Sequence, residues 1–251
     1  MIQGLYRITE NTALTESVYR MTLQGDTSAC TAPGQFVNIK LDGFYLRRPI
    51  SLYDWEENRL TILYKVVGRG TEQMARLNPG EELDLLTGLG NGYDTTKSGD
   101  RPILIGGGVG IPPLYALCKK LLQEGKCPSV ILGFNKKEEV FCKEDFEALL
   151  KETGGAVYVT LAEGLQDASA ESVSAESVSP ESASEKSPSA VFYPGFVTDV
   201  LEDLDYTYFY TCGPAPMFQA IEKTAKTSGQ FSFEERMGCG FGACMGCSCK
   251  T

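Results

Sequence analysis

Three cysteines close to the end of the chain, Cys239, Cys244 and Cys247, stand in C-x4-C-x2-C order within Met237-Gly-Cys-Gly-Phe-Gly-Ala-Cys-Met-Gly-Cys-Ser-Cys-Lys-Thr251. A loop that wraps a [2Fe–2S] cluster must deliver three thiolates inward from one short segment, and this is a spacing such loops use. Gly238, Gly240, Gly242 and Gly246 interleave the cysteines, so the backbone can coil tightly and aim N–H groups at cluster sulfurs. Zinc is the competing metal, but its sites favour paired C-x2-C knuckles, often with histidine, and the chain has no histidine. A disulfide pair conflicts with the start Met1-Ile-Gln-Gly-Leu-Tyr, which lacks the basic and apolar regions of a signal peptide. The fourth cluster ligand is open. Cys249 follows Cys247 after a single residue, closer than this cluster type uses, and we expect the chain to stop before its fourth cysteine.

The missing histidine removes the commonest general base and most catalytic zinc sites. Chemistry is therefore expected from cofactors, and no side chain is assigned a catalytic acid–base role. With 251 residues, 42% hydrophobic and 22% charged, the chain has room for two ordinary cores. A net charge of −10 argues against nucleic acid or an anionic membrane as partner. No apolar run approaches the ~18–20 residues of a membrane span. Nine cysteines without a signal peptide imply a reducing, cytoplasmic setting.

Two kinds of element must position these groups. Residues 4–9, 18–23, 36–41 and 60–66 alternate apolar and polar, with Pro33-Gly34 and Asp42-Gly43 as turns, and predict a small antiparallel β-barrel. A helix over 72–77 and a strand over 82–86 complete a first domain, residues 1–98. From residue 99 to 233 strands and helices alternate: strands at 102–108, 129–134, 156–161, 206–211 and 231–233, helices at 112–123, 143–152, 197–204 and 215–227. That order predicts a doubly wound parallel α/β domain. Residues 234–251 form the cysteine loop. Between about 166 and 190 an approximate repeat, Ala170-Glu-Ser-Val-Ser, Ala175-Glu-Ser-Val-Ser, Pro180-Glu-Ser-Ala-Ser, is too poor in large apolar residues to offset its ordering entropy. It predicts a disordered surface insert.

Four short strings carry binding chemistry. Arg48-Pro-Ile-Ser51 offers a bidentate guanidinium for a pyrophosphate and a hydroxyl for a ring edge; alone, it is weak evidence and reads first as an arginine salt bridge beside a strand-edge proline. Gly68-Arg-Gly-Thr71 follows a strand and opens a helix, so freed N–H groups and the threonine hydroxyl predict an anion-binding corner, or simply a capped helix. Gly106-Gly-Gly-Val-Gly-Ile-Pro-Pro113 joins a buried strand to a helix, the context of a dinucleotide loop, with Gly106, Gly107, Gly108 and Gly110 leaving room for phosphates. Cys212-Gly213-Pro214 places another small loop at the carboxyl edge of the same sheet.

Together the strings resemble the ferredoxin–NADP reductase superfamily, and with the cysteine loop the chain is similar to the electron transfer subunits of NAD-dependent (B-type) dihydroorotate dehydrogenases. Further support comes from Arg47-Arg-Pro-Ile-Ser51, Tyr64-Lys-Val-Val-Gly-Arg-Gly-Thr71, Leu89-Gly-Asn-Gly92, Gly195-Phe-Val-Thr-Asp-Val200 and Glu234-Glu-Arg-Met-Gly-Cys239. The resemblance covers all but the Ser/Glu-rich insert. It implies FAD on the barrel, held by Arg48, Pro49, Ile50 and Ser51, by Leu63, Tyr64 and Lys65, and by Gly70 and Thr71. It implies NAD as substrate on the α/β domain near Gly106, Gly107, Gly108 and Gly110 and near Cys212, Gly213 and Pro214. Cys239, Cys244, Cys247 and a fourth cysteine would ligate the [2Fe–2S] cluster; in the family that ligand lies about a dozen or more residues past the third.

The resemblance also implies a relay in pyrimidine (UMP) biosynthesis. A partner subunit bearing FMN oxidises dihydroorotate, and electrons pass through the cluster and FAD to NAD⁺, in a heterotetramer of two plus two subunits. One alternative is the same machinery as a subunit of a related NAD(P)H–ferredoxin or sulfide oxidoreductase; another is a non-catalytic metal-binding module. NAD over NADP rests on the resemblance, because Gly133-Phe-Asn-Lys136 at the end of the second α/β strand lacks an acidic residue in clear register. Cys30, Cys118, Cys127 and Cys142 read as inert thiols.

Overall fold

The computed structural model describes residues 1–163, 190–233 and 237. The Ser/Glu-rich insert and Cys239, Cys244, Cys247 and Cys249 lie outside the described residues.

Six strands, β1 (Ile2–Ala13), β2 (Val18–Gln24), β3 (Phe36–Lys40), β4 (Arg48–Glu56), β5 (Arg59–Lys65) and β6 (Glu82–Leu89), close an antiparallel barrel in the order β1-β2-β5-β4-β3-β6. Alternation explains the closure: Met21 and Leu23 of β2 and Leu60, Ile62 and Tyr64 of β5 point into one core with Tyr6, Ile39, Leu52 and Leu85. Helix α1 (Arg69–Ala75) packs on that core through Met74. It starts three residues earlier and ends two residues earlier than expected, because Gly68 supplies the break and Thr71 lies inside the first turn. Strand β1 runs well past residue 9, since its polar half still pairs with β2 while its first half pairs with β6. Strand β6 likewise runs to Leu89, past the expected end at residue 86.

The second sheet is parallel throughout, in the order β10-β9-β8-β7-β11-β12. Its elements are β7 (Pro102–Gly107), α2 (Pro112–Gln123), β8 (Ser129–Phe134), α3 (Lys143–Leu150), β9 (Val157–Leu161), β10 (Val191–Pro194), α4 (Val197–Asp203), β11 (Tyr208–Cys212), α5 (Ala215–Thr224) and β12 (Gly229–Ser232). Strand β10 is an addition to the sequence expectation: a four-residue exposed edge strand beside the insert, too short for any period to show. The last strand sits two residues earlier than expected at its start, and β11 takes in Cys212. Helices α2 and α3 bury one face of the sheet, α4 and α5 the other. The order of strand addition reverses between β7 and β11, and in such folds ligands bind in the crevice at that switch point.

The two cores are not independent. Val18, Tyr53 and Leu63 point out of the barrel and are buried in the same cluster as Leu114, Leu117 and Phe146 of the α/β half. Among the described residues, no helix is long and apolar enough to cross a membrane.

Candidate functional site

A cavity of about 620 Å³ opens between the barrel and the parallel sheet, a size ordinary for a cofactor cleft. One wall is barrel: Arg48, Pro49, Ile50 and Ser51 of β4, Leu63, Tyr64 and Lys65 of β5, and Thr71 of α1. The opposite wall brings Val109, Cys212, Phe231 and Phe233 from the sheet's carboxyl edge. Strand pairing makes the barrel wall, because β4 lies between β3, with Ser51 opposite Phe36, and β5. Gly106, Gly107, Gly108, Gly110, Gly213 and Pro214 stand at the switch point without lining the cavity.

Two adjacent arginines have different fates. Arg47 is spent internally, pairing with Asp84 at 2.9 Å and donating to the carbonyls of Asn38 and Asp84. Arg48 has no ion pair among the described residues; its guanidinium lies 4.6 Å from the centre of the Phe44 ring and donates to the Leu46 carbonyl. Arg69, also without an ion pair among the described residues, sits 5.9 Å from the same ring. Two cations around one aromatic ring, neither with an ion pair among the described residues, favour an anion close by. Gly70 does not line the cavity but lies against Arg48, where a β-carbon would come 2.4 Å from Nε.

The Gly68–Thr71 corner differs from the expectation in one respect. The Thr71 hydroxyl accepts the N–H groups of Val67 and Gly68 and donates to the Gly68 carbonyl at 3.0 Å, so its proton closes the turn. The donors left for a ligand are backbone N–H groups of the first turn, which have no acceptor within the helix. The other end of α1 is tied down by Asn11, whose Nδ2 donates to the carbonyls of Met74 and Leu77 at 2.9 Å each. The Tyr64 hydroxyl donates to Asn11 Oδ1 at 2.9 Å, and burial pushes its phenol pKa up, keeping it a neutral donor. Asn11 thus orders both a wall residue and the helix, a role no local motif announces.

On the sheet side, β7 ends in a 3-10 turn, Gly108–Gly110, that runs directly into α2. Gly108 has φ 52°, a left-handed turn that suits glycine. Pro112 and Pro113 occupy the first helical turn, where a missing N–H costs nothing. Thr211 of β11 donates to the Ile105 carbonyl at 2.9 Å, fixing the two switch-point strands. Tyr93 also lines the cleft; burial pushes its phenol well above the usual range, and its ring stands edge-on to Tyr210 at 5.6 Å.

The strand ends also hold an acidic group, although β8 itself ends without one. Glu163, just past β9, accepts the Lys137 N–H at 2.8 Å and donates its own N–H to the Asn135 carbonyl. It follows the third α/β strand of the chain, not the second.

The cysteines expected to ligate a cluster lie outside the described residues; among the described residues no three His, Cys, Asp or Glu side chains gather to hold a metal. Burial pushes the thiols of Cys30 up to about 11 and of Cys118 and Cys142 up to about 12, which suits inert core positions.

Comparison with known proteins agrees with this geometry. The family model described as an oxidoreductase NAD-binding domain matches residues 104–223. The dihydroorotate dehydrogenase B (NAD(+)) electron transfer subunit of Fusobacterium nucleatum is 38% identical over 258 residues, 97% of this chain and 88% of that protein. Its counterpart in Bacillus pumilus is 36% identical over 262 residues, 100% of this chain and 90% of that protein. Among solved structures, an NADH-dependent reduced ferredoxin-NADP oxidoreductase superposes with a TM-score of 0.75 at 24% identity, over 96% of this chain and 80% of that one. A ferredoxin NADP+ reductase from Neisseria gonorrhoeae with bound FAD and NADP gives 0.67 at 15% identity, over 92% and 99%. These two show the shared fold. By its relatives over nearly full length, the chain belongs to the family of electron transfer subunits of NAD-dependent dihydroorotate dehydrogenase B.

Proposed function

We propose that this chain carries electrons from a dihydroorotate-oxidising, FMN-bearing partner subunit to NAD⁺, with FAD in the cleft and a [2Fe–2S] cluster on Cys239, Cys244, Cys247 and a fourth cysteine. The observation that carries the reading is the facing of two walls: the Arg48–Ser51 segment on one side, Val109 and Cys212 of the dinucleotide loops on the other, across one cavity. When bound, the flavin supplies exchange between one-electron and two-electron transfer, and the cluster supplies one-electron carriage.

The residues present suit a flavin dinucleotide. Arg48, with Arg69 on the same Phe44 ring, is placed to hold a diphosphate, and the absent Gly70 side chain leaves Arg48 its position. Pro49, Ile50, Leu63 and Phe231 give apolar walls that exclude water, while the Ser51 hydroxyl and the Lys65 segment supply the polar edge. Gly106, Gly107, Gly108 and Gly110, with Cys212, Gly213 and Pro214, would hold the NAD diphosphate and bring its nicotinamide against the flavin wall. No side chain need act as a base, in keeping with a chain without histidine. We further propose a two-plus-two heterotetramer with the FMN subunit, working in the cytoplasm.

The test is a visible absorption spectrum of anaerobically purified protein, alone and co-expressed with an FMN-bearing dihydroorotate dehydrogenase subunit. Flavin bands and a broad iron–sulfur shoulder that both bleach with NADH are expected. Replacing Cys244 by serine should remove the shoulder and spare the flavin bands. Protein that purifies without flavin would sink the proposal, and reduction by NADH without any by dihydroorotate in the co-purified complex would move it to a sister oxidoreductase.

A further inference from the structure

Strand β4 carries two sets of residues in immediate succession. Arg48, Pro49, Ile50 and Ser51 line the cleft; Leu52 points into the barrel; Tyr53 and Asp54 meet the α/β half. Strict alternation would send Tyr53 outward and Asp54 back into the barrel. A register shift prevents this: Leu52 pairs with Ile62 and Asp54 with Thr61, so two residues of β4 oppose one of β5. Such a bulge re-aims a side chain and bends its strand. Here it turns both Tyr53 and Asp54 onto helix α2, and Trp55 returns to the barrel core.

The contacts they make are close. The Tyr53 ring stacks on Tyr115 with centroids 4.4 Å apart and planes 14° from parallel. Asp54 receives Lys119 Nζ on both carboxylate oxygens, at 2.6 and 2.8 Å. Tyr115 and Lys119 are four residues apart, hence on one face of α2. The Tyr53 hydroxyl continues to Asp145 of α3 at 2.6 Å, and Asp145 also pairs with Arg20 of β2. The Asp54 and Lys119 side chains are only 22% and 28% exposed, so solvent screens this pair less than a surface one.

Helix α2 starts directly after the Gly108–Gly110 turn, as β4 starts with the flavin-wall residues. We infer that Tyr53 and Asp54, through Tyr115 and Lys119, are positioning residues that set the distance between the two cofactor walls by locking β4 to α2. The inference rests on the proposed flavin-to-nicotinamide transfer. A lock of this kind acts on the rate of transfer and not on either binding site, since neither pair touches the cleft. A misplacement near 1 Å is enough to cost about a hundredfold in such a step.

The experiment uses the full, flavin-loaded protein with Lys119→Met and, separately, Asp54→Asn. Stopped-flow reduction by NADH should slow by about tenfold or more, while flavin content and the Kd for NAD⁺ change less than about twofold. Lys119→Arg should restore most of the rate, and so should the exchanged pair Asp54→Lys with Lys119→Asp. Hydrogen exchange on the flavin-free protein gives an independent readout: amides of β4 around Tyr53 and of α2 should lose protection together in Lys119→Met. Unchanged reduction rates in both single variants, or a rate loss matched by loss of flavin or NAD⁺ binding, would overturn the inference. A wild-type chain that holds no flavin would instead overturn the proposed function, and the exchange experiment would still report on the lock.

Discussion

Gly110 lies so close to Cys212 that a β-carbon on it would stand 2.2 Å from the Cys212 carbonyl oxygen and 2.6 Å from the Gly213 nitrogen. The two glycine-bearing loops, about a hundred residues apart in the chain, are therefore in backbone contact at the switch point, and neither side is a flexible tip that could give way. Gly110→Ala is expected to push the loops apart, weaken NAD⁺ binding by at least about tenfold and destabilise the fold by about 1–3 kcal/mol. Titration calorimetry with NAD⁺ and a thermal melt check both, and flavin content should be unchanged because the barrel wall is untouched.

Gly70 makes the corresponding close approach on the barrel, but to the Arg48 side chain, which can swing away. Gly70→Ala should fold normally and lose the anion grip. We expect its flavin affinity to fall about tenfold or more, the scale of a lost charge-assisted hydrogen bond. Fluorescence titration of flavin-free protein with FAD and with riboflavin separates the cause: FAD should weaken and riboflavin, which has no diphosphate, should not.

Glu163 places a carboxylate at the carboxyl edge of the sheet, against Lys137 just past β8, beside the strand end where an adenosine ribose is read in such folds. A fixed negative charge there disfavours a 2′-phosphate. Glu163→Gln should narrow the preference for NADH over NADPH by about tenfold, seen as the ratio of kcat/KM values, with kcat on NADH little changed.

The buried thiols predict an alkaline limit to stability. Cys118 and Cys142 ionise in the unfolded chain near the ordinary 9.0 but in the folded chain only near 12. Their contribution is complete below pH 9 and is lost as pH rises from there through about 12, because only the unfolded state gains by releasing protons. Urea midpoints should fall across that window. Cys118→Ala, though less stable throughout, should decline less steeply, and native protein at pH 8 should leave both thiols unmodified by iodoacetamide.

What the sequence discloses divides along local and non-local lines. Helix α2 and strand β8 occupy the expected residues 112–123 and 129–134, because glycines and prolines mark their ends within a few residues. The barrel alternation was equally readable, since each half-buried strand carries its own period. The β4 bulge was not, because it exists only in the register between β4 and β5, which the β4 residues alone do not encode. Asn11 and Glu163 escaped for the same reason: each acts on backbone groups far away in the chain or on another strand. Among the binding strings, Arg48-Pro-Ile-Ser51 could be read as a salt bridge or as a ligand grip, and only the pairing of Arg47 with Asp84 shows which of the two arginines is without an ion pair among the described residues.

The sharing of Val18, Tyr53 and Leu63 with the α/β core bears on how this protein could be taken apart. A barrel excised at the end of its last strand would leave three large side chains without their covering, and the remaining sheet would open a gap beside α2 and α3. Neither half is a portable module. Swapping either one for the corresponding half of a relative calls for moving Val18, Tyr53, Asp54 and Leu63 together with Tyr115 and Lys119, as one unit of inheritance.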